Sequence, residues 1–150
     1  MFLGMLKEIL RGESDKEKSL KRLIEKLDIS NQVQLYLPTK NIIKEYSKAS
    51  MLLNTSSSEA FGLVIIEAMA YGLPAIAFDS ASGPKMLIDN GANGFLIKSF
   101  DIDAYANKIK LLIKDAKLIN SLGSNAKKSI NKFDIDVIMN QWHQLFQSLD

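Results

Sequence analysis

The sequence predicts an α/β fold, a parallel sheet with helices on both faces, and three observations carry that prediction. Short apolar or β-branched runs, Met51 to Asn54, Ala75 to Phe78 and Phe95 to Ile97, alternate with longer segments of helical periodicity. Turn residues such as Gly72-Leu73-Pro74 separate a helical segment from the run that follows. The composition, 47% hydrophobic and 24% charged over 150 residues, is that of one soluble globular domain with a single core. Crossovers between parallel strands are right-handed, and ligands of such sheets sit at the carboxyl ends of the strands.

Each element has its own justification. From Asp15 to Asp28 the apolar residues Leu20, Leu23, Ile24 and Leu27 recur at helical spacing between Lys and Glu, which predicts an amphipathic surface helix ended by Ser30 and Asn31. Val33, Leu35 and Leu37 alternate as in a strand closed by Pro38. Ile42 to Ala49 reads as a short helix, and Met51 to Asn54 as the next strand. Gly62 to Tyr71 is long enough for three helical turns and stops at Gly72, after which Ala75 to Phe78 forms a third strand. Helix is expected for Pro84 to Asp89, strand for Phe95 to Ile97, and three successive helices for Asp101 to Lys114, Lys117 to Asn131 and Asp134 to Leu149.

Charge and composition exclude several functions. Nineteen Lys and Arg against seventeen Asp and Glu give a formal charge of +2, with no basic block and no interleaved aromatic stripe, so nucleic acid is not an expected partner. Without cysteine there are no disulfides or thiolate metal sites, and the lone His143 builds no zinc site by itself. MFLGMLKEIL is soon interrupted by Lys7 and Glu8, which argues against a signal peptide, and no apolar run approaches the ~20 residues of a membrane helix. The expected location is the cytosol. No fixed-period repeat and no Gly/Ser- or Pro-rich linker divides the chain.

The stretch SSSEAFGLVIIEAMAYGLP, residues 56–74, sets Glu59 and Glu67 among small and apolar side chains. The polar loop Thr55-Ser56-Ser57-Ser58 delivers Glu59 to the carboxyl edge of the sheet, just before a helix that starts near Phe61-Gly62-Leu63. Gly62 removes the side chain that would block close approach, and the first N–H groups of a helix favour an anion, most often phosphate. Glu67 lies five residues beyond Gly62, roughly 7 to 8 Å along the helix. That is the reach from a diphosphate to its ribose, where a carboxylate accepts both hydroxyls; Glu59 would serve a sugar hydroxyl on the other side. The alternative is a surface or capping role for Glu59 and a lysine pair for Glu67, although the helix offers Glu67 no cation four residues away.

Other residues invite plainer readings. His143, beside Trp142 and near Phe146, reads as a packing or surface residue. Asp79 either lines the cleft or caps a turn, and Lys85 either reaches a phosphate or stays solvated. The Lys-rich run from Lys108 to Lys128 reads as a solvated face, with attraction to anionic lipid as the alternative.

Glu59-Ala-Phe-Gly-Leu-Val-Ile-Ile-Glu67-Ala-Met-Ala-Tyr-Gly-Leu-Pro resembles the E-x7-E signature of retaining glycosyltransferases with the GT-B fold, notably the large fourth family, also called group 1. The similarity runs from about Gly12 to the C-terminus and includes Ser82-Gly83-Pro84, Asn90 to Leu96, and the closing helix with Phe133 and Trp142. It implies a Rossmann-like sheet forming the C-terminal, donor-binding half of such an enzyme, one domain over residues 1–150, with the N-terminal acceptor domain outside this chain. It further implies that Glu59 contacts the donor sugar as the catalytic carboxylate, and that Phe61, Gly62, Leu63 and Val64 meet sugar and diphosphate through their backbone amides. Glu67 would hold the ribose, and the strand end near Leu37 the base.

The implied reaction moves a sugar from a nucleoside diphosphate sugar to a glycan or lipid-linked acceptor with retention of configuration. It needs no metal or other cofactor, takes place at the inner face of the membrane, and serves surface polysaccharide or glycoconjugate synthesis. Against the family pattern, Ala60 stands where Gly is usual, Met86 where an acid is frequent, and Met5 where an Arg follows the first strand if Phe2 to Leu6 is that strand. Leu6 to Leu10 read as the second strand is the alternative, in which case the first strand is missing and self-association could fill the gap. A non-catalytic nucleotide- or protein-binding module and a sugar-nucleotide epimerase of the same fold remain the competing functions.

Overall fold

The computed structural model describes residues 15–36, 39, 41–80 and 82–149. Among them three strands form one parallel sheet in the order β1-β2-β3, with β1 at Leu52–Asn54, β2 at Ala75–Phe78 and β3 at Gly94–Ile97. Leu53 stands opposite Ile76, and Ile76 opposite Phe95. Seven α-helices accompany the sheet: α1 Asp15–Lys26, α2 Ile42–Tyr46, α3 Leu63–Ala70, α4 Ser82–Leu87, α5 Ile102–Lys114, α6 Ala116–Ser129 and α7 Ile135–Gln147, with a 3-10 turn at Ile130–Phe133.

The strand period of two sorts side chains between two cores. Ala75 and Ala77 point to one face, where Tyr46, Leu52, Ile65, Ala68, Met69, Leu73, Leu87 and Ile88 pack. Ile76 and Phe78 point to the other, with Met51, Phe95, Ile97, Tyr105, Leu112 and Leu122. All four residues of β2 are buried, as expected of a central parallel strand covered on both sides. The small Ala75 and Ala77 let α3 approach closely, so Ile65, Ala68 and Met69 are wholly excluded from solvent. Burying a side chain the size of Ile65 or Met69 contributes about 1.5–3 kcal/mol.

The predicted helices and strands recur with ends shifted by one to three residues, which is the ordinary uncertainty of fraying ends. One predicted element does not. Of the expected strand Val33 to Leu37, residues 33–36 are described and form no ladder; the Ile29 carbonyl instead accepts from the N–H groups of Gln32 (2.8 Å) and Val33 (3.1 Å). Alternation marks a segment able to be a strand, but only a neighbour with matching hydrogen bonds makes it one. Among the described residues β1 is an edge of the sheet. Leu37 and the alternatives at Phe2 to Leu10 lie outside the described residues.

Amphipathicity is also only half used. In α1, Ile24 is buried whereas Leu23 and Leu27 are exposed, and α7 contributes no buried residue although it carries Ile135, Met139, Trp142 and Phe146.

Two glycines join α3 to α6. Gly72 adopts φ +72°, a left-handed conformation that stops α3, and a Cβ placed on Gly123 would stand 2.1 Å from the Gly72 carbonyl oxygen. Helix α6 therefore rests directly on this turn. Gly123→Ala is expected to lower stability in urea denaturation by about 1–3 kcal/mol through overpacking. Without that contact the same change within a helix would raise stability by roughly 0.5–1 kcal/mol, so the sign of the shift decides.

Candidate functional site

The loops at the carboxyl ends of β1 and β2 are tied together. Asn54, buried at the end of β1, accepts the Ser56 N–H through Oδ1 at 2.9 Å, and Ser80 Oγ donates to the Ser56 carbonyl at 2.8 Å. Asp79, just past β2, accepts from both the N–H (2.9 Å) and the hydroxyl (3.1 Å) of Ser99, just past β3. These two bonds hold its carboxyl below the usual range, with a smaller contribution from the charge of Lys85. Asp79 is thus a tie between strand ends, and Lys85 is exposed.

The chain then turns into α3 at Gly62, whose φ of +89° and ψ of 48° are left-handed. A Cβ there would stand 3.2 Å from Ile65 Cδ1, 3.3 Å from Leu87 Cδ1 and 3.6 Å from Glu59 Cγ, so backbone freedom and space both require glycine. The Gly62 carbonyl accepts from Ile65 (2.8 Å) and Ile66 (3.3 Å). The N–H groups of Gly62, Leu63 and Val64 donate to no atom of the described residues. They are the free donors of a helix start, carrying the positive end of its dipole. Gly83 packs against the back of this turn, where a Cβ would fall 2.6 Å from the Phe61 carbonyl oxygen. The Phe61 ring meets Phe133 edge to face, with centroids 5.7 Å apart.

The two acids sit on either side of that helix start. Glu59 is half-buried in the loop before it. Glu67, five residues after Gly62, is exposed, and the cation considered as its alternative partner is replaced by a phenol: Tyr46 Oη donates to Glu67 Oε2 at 2.8 Å. Tyr46, at the end of α2, is 3% exposed, and its ring stacks on Tyr71 with centroids 5.8 Å apart. Burial first, then the bond to Glu67 and its negative charge, push the Tyr46 hydroxyl well above the ordinary 10.0.

Of the residues singled out by sequence, Glu59 and Phe61 lie in the loop before α3, Gly62 caps it, and Leu63, Val64 and Glu67 lie on it, whereas Leu37 lies outside the described residues. His143 is exposed on α7. Sequence reading missed Tyr46, which sits 21 residues from Glu67, and gave Gly83 only as part of the family likeness, without its close approach to the Phe61 backbone. Among the described residues no group of three His, Asp or Glu is placed to hold a metal ion, and no helix is long and apolar enough to cross a membrane.

The parallel α/β fold is that of a part of the GT-B glycosyltransferases. The chain belongs to the group 1 glycosyl transferases, whose family pattern matches residues 5–129. It is 35% identical over 92% of its length to an exopolysaccharide phosphotransferase of Streptomyces coelicolor, covering 15% of that protein. It is 32% identical over 91% of its length to the poly(ribitol-phosphate) α-N-acetylglucosaminyltransferase of Staphylococcus aureus, covering 28%. Among solved structures, Anabaena HepE in complex with UDP superposes with a TM-score of 0.84 at 31% identity, over 93% of this chain and 38% of that one. The C-terminal domain of the group 1 protein LpcC from Francisella tularensis superposes with a TM-score of 0.74 at 25% identity, over 84% of this chain and 66% of that one. The chain thus spans between about a seventh and two fifths of the full-length relatives it matches.

The buried phenols make stability pH-dependent. In the unfolded chain Tyr46 and Tyr105 ionise near 10.0, while in the folded chain burial keeps both protonated beyond that point. The unfolded state then binds fewer protons, so stability holds below pH 10 and falls as pH rises above it. Melting curves at pH 8, 10 and 11 are expected to drop less steeply for Tyr46→Phe than for the unaltered chain; equal slopes would contradict the buried, acid-paired phenol.

Proposed function

We propose that this chain is the donor-binding half of a retaining glycosyltransferase that builds surface polysaccharide or a related glycoconjugate. The observation that carries the reading is the start of α3: the N–H groups of Gly62, Leu63 and Val64 engage no acceptor among the described residues, with Glu59 in the loop before them and Glu67 further along the helix. A diphosphate fits the donors, since oriented amides and the helix dipole stabilise its charge. Glu67 receives the ribose hydroxyls and Glu59 the transferred sugar. Family membership and likeness to a structure holding UDP support a nucleoside diphosphate sugar as ligand. Transferase names among the relatives favour this over a binding module or an epimerase.

In the proposed reaction the bond from the anomeric carbon to the diphosphate oxygen breaks. The acceptor oxygen bonds to the same face of that carbon, and its proton passes to the leaving diphosphate. The free amides of α3 stabilise the charge that grows on the diphosphate as the bond breaks, which is where fixed dipoles are most effective. Glu59 orients the sugar through its hydroxyls. The acceptor binds to an N-terminal domain outside residues 1–150, and no metal takes part. The work is done on the cytoplasmic side, where the exposed Lys110, Lys114, Lys117, Lys127 and Lys128 of α5 and α6 lend a weak attraction to anionic lipid.

Calorimetric titration with UDP and UDP-glucose tests the assignment of the acids. Glu67→Ala is expected to weaken both ligands by about 1.5–3 kcal/mol, the range for a hydrogen bond to a charged group. Glu59→Ala is expected to weaken UDP-glucose and leave UDP nearly unchanged. Equal losses from both variants on both ligands, or no loss at all, would remove the assignment.

A further inference from the structure

Glu67 projects from an exposed position on α3, and a solvated glutamate samples many rotamers. One feature restricts it. The Tyr46 ring is held by the core around Leu52, Ile65 and Met69 and stacks on Tyr71, so the direction of its hydroxyl is set by packing rather than by solvent. That hydroxyl donates to Oε2 of Glu67 at 2.8 Å. A phenol has one proton to give, whereas a carboxylate has about four acceptor positions. Tyr46 therefore anchors one carboxylate oxygen and narrows the orientations open to the group, while leaving Oε1, and one lone pair of Oε2, for two further donors. The adjacent hydroxyls of a ribose are such a pair.

We propose that Tyr46 is a positioning residue for the nucleotide: its hydroxyl holds the Glu67 carboxylate in the orientation that accepts the 2′ and 3′ hydroxyls together, and so makes the site selective for ribose. The proposal rests on the reading in which Glu67 meets the ribose. Tyr46 itself need not touch the ligand. Its contribution is to remove rotational freedom that the carboxylate would otherwise lose on binding. The phenol suits this task because, unlike a lysine, it orients the acid without cancelling its charge, and the acid keeps its full strength as an acceptor. The phenol keeps its donor proton throughout the neutral range, and burial extends that range further upward.

The test uses the full chain, with UDP and 2′,3′-dideoxyuridine diphosphate as probes in calorimetric titrations. The unaltered chain is expected to prefer UDP. Tyr46→Phe retains the ring and is expected to weaken UDP by about three- to tenfold while leaving the dideoxy nucleotide unchanged. A role in packing alone would weaken both ligands equally or neither, and either outcome overturns the proposal. Glu67→Ala is expected to abolish the preference, and adding Tyr46→Phe to it should change neither affinity. If Glu67→Ala abolishes the preference and Tyr46→Phe leaves it intact, the positioning role fails alone. If Glu67→Ala leaves the preference, or the unaltered chain binds the two probes alike or not at all, the ribose reading fails and the proposal with it. Should Tyr46→Phe unfold at the titration temperature, Glu67→Asp carries the test. The shorter acid keeps its charge but cannot reach Tyr46 and the ribose at once, so it should lose the same preference, and a retained preference overturns the proposal.

Discussion

The seating of α3 on β1 and β2 is the constraint on which the rest depends. Ala75 and Ala77 offer so little side chain that the helix sinks Ile65, Ala68 and Met69 completely, and this burial fixes its axis relative to the strands. Because α3 follows a parallel strand, its start must lie at the carboxyl edge of the sheet, where Gly62 turns the chain and leaves three amides with no acceptor among the described residues. Hydrophobic packing on one side of the helix thereby aims polar groups on its end. The glycines at 62 and 83 then keep that end clear, since a methyl group at either would press on Leu87 or on the Phe61 backbone.

The same packing links the cores to the acids. Tyr46 belongs to the cluster beneath α3, yet its hydroxyl reaches the surface at Glu67. Asp79 and Ser99 tie the ends of β2 and β3 together, and Ser80 and Ser56 tie the loops after β2 and β1. The carboxyl edge is therefore held by hydrogen bonds between loops as well as by the sheet.

What could be read from the sequence was whatever local pattern determines. The helix Leu63–Ala70 between two glycines and the strand Ala75–Phe78 were legible because turn residues and composition bound them on both sides. That Glu59, Gly62 and Glu67 share the loop and helix after β1 was legible because they lie within one strand-loop-helix unit. The missing ladder at residues 33–36 was not, since pairing is decided by a distant neighbour. Nor was the environment of Glu67: Ile65 and Ala68 face inward while position 67 faces solvent, and the partner of Glu67 is a phenol from α2 rather than a lysine. For α1 the amphipathic pattern and for α7 the helix were read correctly, but neither reading says what covers an apolar side chain; Leu27 and Trp142 stay exposed.

The central claim is that the start of α3 receives a diphosphate, and the most direct measurement is an amide-resolved NMR titration of the chain with UDP. The account predicts that the N–H resonances of Gly62, Leu63 and Val64 move most, because these donors would gain hydrogen bonds to the phosphates. Shifts centred elsewhere, for example on α7, with these three amides unmoved, would contradict it.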